Sequence, residues 1–363
     1  MANQTTCSAR PRVALAMGDP AGISPELTAR LMSDGVVAKA TRLIVIGDLR
    51  VLEAGARVAG LAPEFVIWRG GSDPWLDGDK HLFVDLAHLD PASVSLGHSS
   101  RLGGRFAMAN FRAALRLSRD QVTQATTFTP FNKHSMKLFD GSYVDEIDVI
   151  AKESGSQGPG REFNVLDGLW NARVTSHVPI SGVAALIKQE AILNGLRLTD
   201  ACMRKAGFAT PRIAVAGLNP HAGDNGNFGR EEIDEIEPAV AAAKAEGIVC
   251  DGPYPADTVF LRALRGDFDA VQTMYHDQGQ IAVKLIGFDK GVTLIGGFPF
   301  PVCTPAHGTA YDIAGRGKAN PGASRNAMLM AARMATPDTL DAASRSERLA
   351  AVIAGLQSGL ADG

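Results

Sequence analysis

Residues Arg12 to Leu27 read RVALAMGDPAGISPEL, and the way this run breaks decides the fold. Its apolar half, RVALAM, reads as a buried strand. The strand stops at Gly18-Asp19-Pro20. Ser24 then suits a helix N-cap, Pro25 the first helical turn, and Glu26 the positive end of the helix. The unit is strand, loop, helix. It has the outline of a phosphate loop but lacks the Gly-Lys-Ser/Thr that such a loop needs. The same grammar returns in TRLIVIGDLRVLEAGARVAGL, where strand Leu43 to Ile46 breaks at Gly47-Asp48. It returns again in QATTFTPFNK, NARVTSHVPISGVAALI, PRIAVAGLNPHAGDNG and FDAVQTMYHDQGQIAVKL. Strands alternating with helical patterns predict an α/β fold, a mostly parallel sheet covered by helices. In such sheets ligands sit beyond the carboxyl ends of the strands. The loop from Asp19 to Gly22 is therefore a candidate wall of a site, with a plain strand-to-helix turn as the competing reading.

A chain of 363 residues allows one large or two medium domains. Hydrophobic content of 45% and charged content of 21% are ordinary for a soluble protein. A net charge of −3 gives no electrostatic reason to expect nucleic acid or an anionic membrane as partner. No apolar run approaches the length of a membrane span. The start, MANQTTCSARPR, has no apolar core of the signal-peptide kind. Cys7, Cys202, Cys250 and Cys303 are scattered without a C-x-x-C pair, which predicts reduced thiols in a cytoplasm. Gly155 to Gly160, GSQGPG, is the clearest flexible loop, and the Ala-rich tail beyond Pro337 is helical in pattern.

Three of the eight histidines share a context: His177 in VTSHVPI, His221 in GLNPHAGDNG and His276 in MYHDQGQ. Each follows an apolar β-type run, so a parallel sheet would bring all three to one edge. Neutral imidazoles are good ligands for zinc and similar divalent ions, and three of them leave a coordination position open for substrate. The ordinary alternative is three hydrogen-bonded histidines, and no HExxH pattern decides between them. Asp277 is either a partner that fixes the tautomer of His276 or a turn residue. His307 lies in PAHGTAYDIAGRGKANPGASRNAM, where two glycine-rich turns and an Asn-Pro precede a helix expected near Ser324. A loop entering a helix N-terminus suits a phosphate-bearing cofactor, since unpaired amides point outward there. A glycine-rich connection is the bland alternative. No G-x-G-x-x-G follows a strand anywhere.

The motifs MGDPAGISPEL, TPFNK, GLNPHAGDNGNFGREEID, GPYPADT, MYHDQGQIAVKL and HGTAYDIAGRGKANPG run from about residue 12 to residue 335. With them the chain resembles the 4-hydroxythreonine-4-phosphate dehydrogenase family of pyridoxal phosphate biosynthesis and its relatives. The last motif is also similar to the adenine-side loop of isopropylmalate and isocitrate dehydrogenases. The resemblance implies two α/β/α domains with an active-site cleft between them, working as a homodimer with the site at the interface. Residues 1–130 plus 300–363 would form the cofactor side, and residues 131–299 the metal, substrate and dimerisation side. His177, His221 and His276 would hold one divalent ion, zinc, magnesium, cobalt or manganese. Lys284 would be the substrate lysine, binding a carboxylate or donating a proton, with Asp277 orienting a histidine or a metal-bound water. A plain surface lysine on a strand is the alternative for Lys284. NAD or NADP would sit on His307, Gly308, Asp312 and Asn320. Asp19, Asn132 and Lys133 would line the substrate rim, a turn role being equally open for the last two.

The departures from the family pattern bear on the substrate. The family's Gly-His-Thr-Glu motif, whose His and Thr contact substrate, falls on Glu146 and Ile147 in SYVDEIDVIAK. A substrate-contacting Asn after Gly-Val is Thr293, and an Arg after Pro-Phe-x is Val302. Arg binds a dianionic phosphate bidentately, whereas Glu repels it. The expectation is a metal- and NAD(P)-dependent dehydrogenase of a small hydroxy-acid without phosphate, such as a cyclic dihydrodiol carboxylate. Decarboxylation follows if a carboxylate lies β to the new carbonyl. On this reading 4-phosphohydroxy-L-threonine is a poor substrate. The alternatives are the biosynthetic reaction itself, and a metal-binding sensor without turnover. The joint presence of the three histidines, Lys284 and the cofactor loop argues against a sensor.

Overall fold

The computed structural model describes residues 10–70, 78–158, 160–287 and 289–361. Cys7 lies outside them. The chain divides into two compact units, residues 1–158 with 298–363, and residues 159–297. The first crossing thus falls at Gly158 and not after residue 130. The reason is that two helices beyond residue 130 pack on a helix of the first unit.

In the first unit the strands are β1 (Arg12–Ala16), β2 (Arg42–Gly47), β3 (Phe65–Trp68), β4 (His81–Asp85), β5 (Ala125–Phe128) and β12 (Val302–Pro305). They lie in the order β3-β4-β2-β1-β5-β12, every neighbour parallel. The central strands β1 and β2 are buried along their whole length, as their uniform apolar runs require. The helices are α1 (Ser24–Met32), α2 (Gly35–Ala40), α3 (Leu49–Ala59), α4 (Arg101–Arg119), α5 (Lys133–Phe139), α6 (Glu146–Ser154), α12 (Gly322–Arg333) and α13 (Ala342–Ala361). Both α5 and α6 pack on α4. One helix start differs from expectation. Ser24 does not cap α1: Ile23 holds the cap position, and Ser24 Oγ donates to the Pro130 carbonyl at 2.8 Å. The hydroxyl ties the opening loop to the β5–α5 connection instead. Helix α12 begins at Gly322, and Ser324 lies enclosed in its first turn.

In the second unit the strands are β6 (Arg161–Leu166), β7 (Leu169–Arg173), β8 (Ile213–Ala216), β9 (Cys250–Tyr254), β10 (Ala270–Thr273) and β11 (Val292–Gly296). Their order is β11-β6-β7-β10-β8-β9. The β11–β6 and β6–β7 pairs are antiparallel, and the others are parallel. The helices are α7 (Ile180–Leu186), α8 (Gln189–Lys205), α9 (Glu237–Ala245), α10 (Ala256–Leu264) and α11 (His276–Gly287). Because β7, β10 and β8 are parallel neighbours, their carboxyl ends share one edge.

Among the described residues no helix is long and apolar enough to cross a membrane. Cys202, Cys250 and Cys303 are buried thiols outside any disulfide.

Two histidines of the first unit give stability a pH dependence. Burial, reinforced by Arg10 and Arg42, holds His81 down at a pKa of about 4. Its Nδ1 accepts the Leu43 N–H at 3.2 Å, a bond that a protonated ring cannot make. Burial likewise lowers His88 to about 4; its ring is stacked on Phe106 with centroids 4.7 Å apart. Both pKa values lie below the unfolded value, so the unfolded chain takes up protons that the folded chain refuses. Stability should therefore fall as pH drops from 6.5 towards 4, by on the order of 3 kcal/mol for each histidine. Denaturant titrations across this window check it. The slope should lessen in His88→Leu, and a flat profile in the wild type would contradict the assignment.

Candidate active site

In the second unit β7 and β10 pair in register up to Arg173 and Thr273. Beyond the strands the two segments stay joined. Val174 N donates to Thr273 O at 2.9 Å, and Thr175 donates to Met274 O from its backbone N at 3.1 Å and its Oγ1 at 2.8 Å. Behind this joint Arg173 is buried, and its guanidinium donates to Glu162, Asn164 and Ser176 at 2.5, 2.5 and 2.9 Å. Burial lowers the pKa of Arg173, and Glu162 works against that shift. The outcome is that the rings of His177 and His276 stand with centroids 5.8 Å apart. Two imidazoles sharing one ion through metal–nitrogen bonds of about 2.0–2.1 Å have ring centres roughly 5–6 Å apart. The two rings stand near that spacing. His276 Nδ1 lies 2.7 Å from Asp277 Oδ1. In a neutral ring paired this way Nδ1 carries the hydrogen, and Nε2 keeps a lone pair for a ligand.

His221 is placed differently. It opens a left-handed stretch of the turn after β8, with φ of 54° at His221 and 55° at Asn225. Among the described residues no group of three His, Cys, Asp or Glu side chains is gathered closely enough to hold a metal ion. The structure thus brings together two of the three histidines and leaves the third on its turn, at the end of the neighbouring strand. Left-handed torsions in non-glycine residues cost about 1–3 kcal/mol each and need support from outside. Glu232 gives it. This carboxylate is 1% exposed; its Oε1 accepts the N–H groups of Leu218 and Asn219 at 2.7 Å each, and its Oε2 accepts Asn219 Nδ2 at 2.9 Å. Nothing in the reading of the sequence singled out Glu232. Its one signal is position, in the π-helical turn Glu232–Ile236 just after the His221 loop.

Lys284 lies on α11, not on a strand. It is exposed, and with Gln280 and His276 it follows the four-residue spacing of one helix stripe. No carboxylate among the described residues pairs with it. Thr293, on β11, is half-buried, with its Oγ1 3.5 Å from Asn164 Nδ2.

In the first unit Asp19 is 1% exposed. It accepts Ala21 N at 2.8 Å, Tyr311 Oη at 2.6 Å and Ser135 Oγ at 3.5 Å. Burial raises its pKa, and these hydrogen bonds pull it back down. Asp19 is thus enclosed and tied within the unit. Val302 is fully enclosed in β12 beside Thr126 and also presents no surface to a substrate. Asn132 caps α5 by accepting Ser135 N at 2.9 Å. Lys133 follows it, exposed, with its Nζ 3.4 Å from Glu146 Oε2 at the start of α6. Ile147 is half-buried on the same helix.

The opening loop proves to be the seat of the segment from His307 to Asn320. Ile23 N donates to Thr309 O at 3.0 Å, and Tyr311 reaches Asp19. Ala319 N donates to Glu26 Oε1 at 3.0 Å, and Arg30 to the Gly317 carbonyl at 2.9 Å. Ile23, Leu27 and Ala319 form an apolar cluster with Ala310 and Ile313. A Cβ on Gly22 would lie 2.7 Å from Thr309 O, so the approach requires glycine. Held from below, the loop keeps Gly308, Asp312 and Asn320 exposed. His307 Nε2 is enclosed without a hydrogen-bond partner among the described residues. A polar atom left over beside exposed polar groups fits a loop that completes its hydrogen bonds on a ligand.

The family model described as "Pyridoxal phosphate biosynthetic protein PdxA" matches residues 39–331. The chain belongs to that family. A relative from Rhizobium meliloti (strain 1021), named "Putative 4-hydroxythreonine-4-phosphate dehydrogenase 2", is 58% identical over 329 residues, 90% of this chain and 94% of the relative. The solved 4-hydroxythreonine-4-phosphate dehydrogenase of Klebsiella pneumoniae superposes with a TM-score of 0.77 at 31% identity, covering 90% of this chain and all of that one (100%). A terephthalate 1,2-cis-dihydrodiol dehydrogenase of Burkholderia xenovorans LB400 gives 0.61 at 28% identity, over 87% and 95% of the two chains. This PdxA-family chain is an oxidoreductase acting on a hydroxyl-bearing carbon, and not a sensor without turnover.

Proposed function

We propose that the protein oxidises a small hydroxy-acid carrying a terminal phosphate, of the 4-hydroxythreonine 4-phosphate class, with NAD or NADP and one divalent ion. The observation that carries the substrate reading is the Lys133–Glu146 pair. The expectation of an unphosphorylated substrate rested on Glu146, Ile147, Thr293 and Val302, with Val302 as a lost cation and Glu146 as a new repulsive charge. Val302 is enclosed, and Glu146 holds an ammonium 3.4 Å away. Lys133 stays 57% exposed and keeps donors for an anion. The names of the relatives support the phosphorylated reading as well.

His177, His221 and His276 would hold the ion. When bound, it supplies a Lewis acid that acidifies the substrate hydroxyl and polarises the new carbonyl. The nicotinamide supplies the hydride acceptor. Asp277 fixes the ring of His276 through Nδ1. Lys284 binds the substrate carboxylate and delivers a proton to the carbon that loses carbon dioxide. His307, Gly308, Asp312 and Asn320 seat the cofactor on the loop that α1 supports. The active form is a homodimer: Ile180 on α7, and Ile281 and Leu285 on α11, are large apolar side chains left in water, Leu285 83% exposed.

The second reading is an unphosphorylated cyclic dihydrodiol carboxylate, favoured by the Burkholderia relative. A comparison of kcat/KM for 4-phosphohydroxy-L-threonine, its dephosphorylated form and dihydrodiol carboxylates separates the two. The phosphorylated acid should lead. Lys133→Ala should cut its kcat/KM by about 10–100-fold, the loss of one charge-assisted hydrogen bond of roughly 1.5–3 kcal/mol, and spare the others. Preferred turnover of a dihydrodiol carboxylate, indifferent to Lys133→Ala, would establish the second reading.

A further inference from the structure

We propose that Arg161 is a substrate-binding residue, a fork that takes an oxyanion of the substrate at the edge of the second unit where β7 ends. The inference deepens the function proposed above and rests on it for the anionic character of the substrate. Strand β6 runs antiparallel to β7, with Asn164 opposite Asn171 and Leu166 opposite Leu169. Its first residue therefore stands at the carboxyl end of β7, on the edge where α/β sheets hold their ligands. That residue is Arg161. Its Nη1 donates to the carbonyls of Arg173 and Val174 at 3.2 Å each. The N–H of Val174 goes the other way, to Thr273 O. Arg161 is thus fastened to the segment that leaves the sheet for His177, three residues beyond Val174.

Two arginines meet at this edge, and their surroundings differ. Arg173 has Glu162 as a counter-ion and also reaches Asn164 and Ser176. Arg161 has two neutral carbonyls and, among the described residues, no carboxylate. It is half-buried, and burial lowers its pKa with no neighbouring charge to oppose the shift. Drawing a charge out of water costs free energy unless it is paired. Both of its bonds come from Nη1, so Nε and Nη2 are left without a partner among the described residues. These two nitrogens are the side of a guanidinium that grips a carboxylate or phosphate with two parallel bonds. The same chain uses that side elsewhere. Arg50 holds Asp48 through Nε at 3.0 Å and Nη2 at 2.8 Å, and Arg212 holds Asp269 at the same two distances. In Arg161 the fork is set, its outer nitrogen fixed by two carbonyls, and the anion is the missing part.

The experiment uses the full chain with Arg161→Gln and Arg161→Lys. Glutamine keeps an amide donor for the strand-end carbonyls and removes the charge. Lysine keeps the charge and removes the fork. KM and kcat are measured for 4-phosphohydroxy-L-threonine and for its dephosphorylated form. KM should rise about 10–100-fold in Arg161→Gln and by less in Arg161→Lys, with kcat within about threefold of wild type, because a lost ground-state contact raises KM alone. A rise for both compounds assigns the fork to the carboxylate. A rise for the phosphorylated compound alone assigns it to the phosphate. Wild-type KM for both compounds in Arg161→Gln would overturn the proposal. So would a fall in kcat with KM unchanged, the result expected of a residue that only holds the end of β7. If Arg161→Gln does not fold, Arg161→Lys carries the test, since lysine does not replace a bidentate arginine, and an unchanged KM there would overturn the proposal. Thermal melts with inorganic phosphate and with acetate separate this inference from the function it rests on. At least one of these anions should raise the Tm of the wild type and leave that of the variant where it was. If the wild type turns over neither compound, the proposed function fails and the melts still decide the role of Arg161. Equal shifts in wild type and variant, or none in either, would overturn it.

Discussion

His221→Ala should lower kcat by about 100- to 1000-fold and reduce bound divalent metal in step, since Lewis-acid stabilisation of the reacting oxygen contributes several kcal/mol. The variant removes the histidine that the structure leaves apart from the other two, so it tests whether three ligands, and not two, make the site. His177 and His276 already stand with ring centres 5.8 Å apart. A pair alone binds metal weakly and leaves it mobile. His98 is the control. It is exposed, the one hydrogen bond of its ring among the described residues is a local one to the Leu96 carbonyl at 2.9 Å, and His98→Ala should be silent. Elemental analysis beside steady-state kinetics reads both quantities. Full metal content and full turnover in His221→Ala would remove this residue from the site.

Gly18→Ala should be the most damaging small substitution in the opening loop. A Cβ there would lie 2.3 Å from both the Thr129 and Pro130 carbonyl oxygens and 2.8 Å from Ser24 Oγ. Two of these neighbours are backbone. They cannot withdraw without breaking Gly18 N to Thr129 Oγ1 at 2.8 Å and Asp19 N to Pro130 O at 3.0 Å. Overpacking of this kind costs about 3 kcal/mol, a fall in Tm of roughly 6–12 °C for a unit of this size. KM for the nicotinamide cofactor should rise as well, because the same loop seats residues 307–320. Gly35→Ala is the comparison, since nothing lies within 4 Å of its added Cβ. Thermal melts of the two variants decide the matter. A Gly18→Ala protein that melts with the wild type would refute the close-packing argument.

What was legible in the sequence was what is local. After a first Arg, RVALA and RLIVIG are apolar runs, and they became the buried parallel strands β1 and β2. The loop after each strand was legible for the same reason. Strand β6, REFNVL, carries charge at its start, and its antiparallel pairing with β7 and β11 leaves no local mark. The unit boundary was misplaced because α5 and α6 are held by tertiary packing on α4, which spacing along the chain does not record. Ser24 has the chemistry of a cap, yet a carbonyl 106 residues away takes its hydroxyl. Side-chain exposure was the largest gap. Asp19 and Val302 stand in motifs that resemble substrate-binding ones, and both are enclosed. The repulsive role expected of Glu146 ignored Lys133, whose ammonium reaches it across the α5–α6 turn. Glu232 acts through the backbone N–H groups of Leu218 and Asn219, a role that its place in a motif does not reveal.

The most direct measurement is the formation of reduced nicotinamide by the full chain with 4-phosphohydroxy-L-threonine, before chelation, after it, and with a divalent ion returned. The account predicts turnover that disappears with the metal and comes back with it. Turnover indifferent to chelation, or none with any divalent ion and either NAD+ or NADP+, would contradict it.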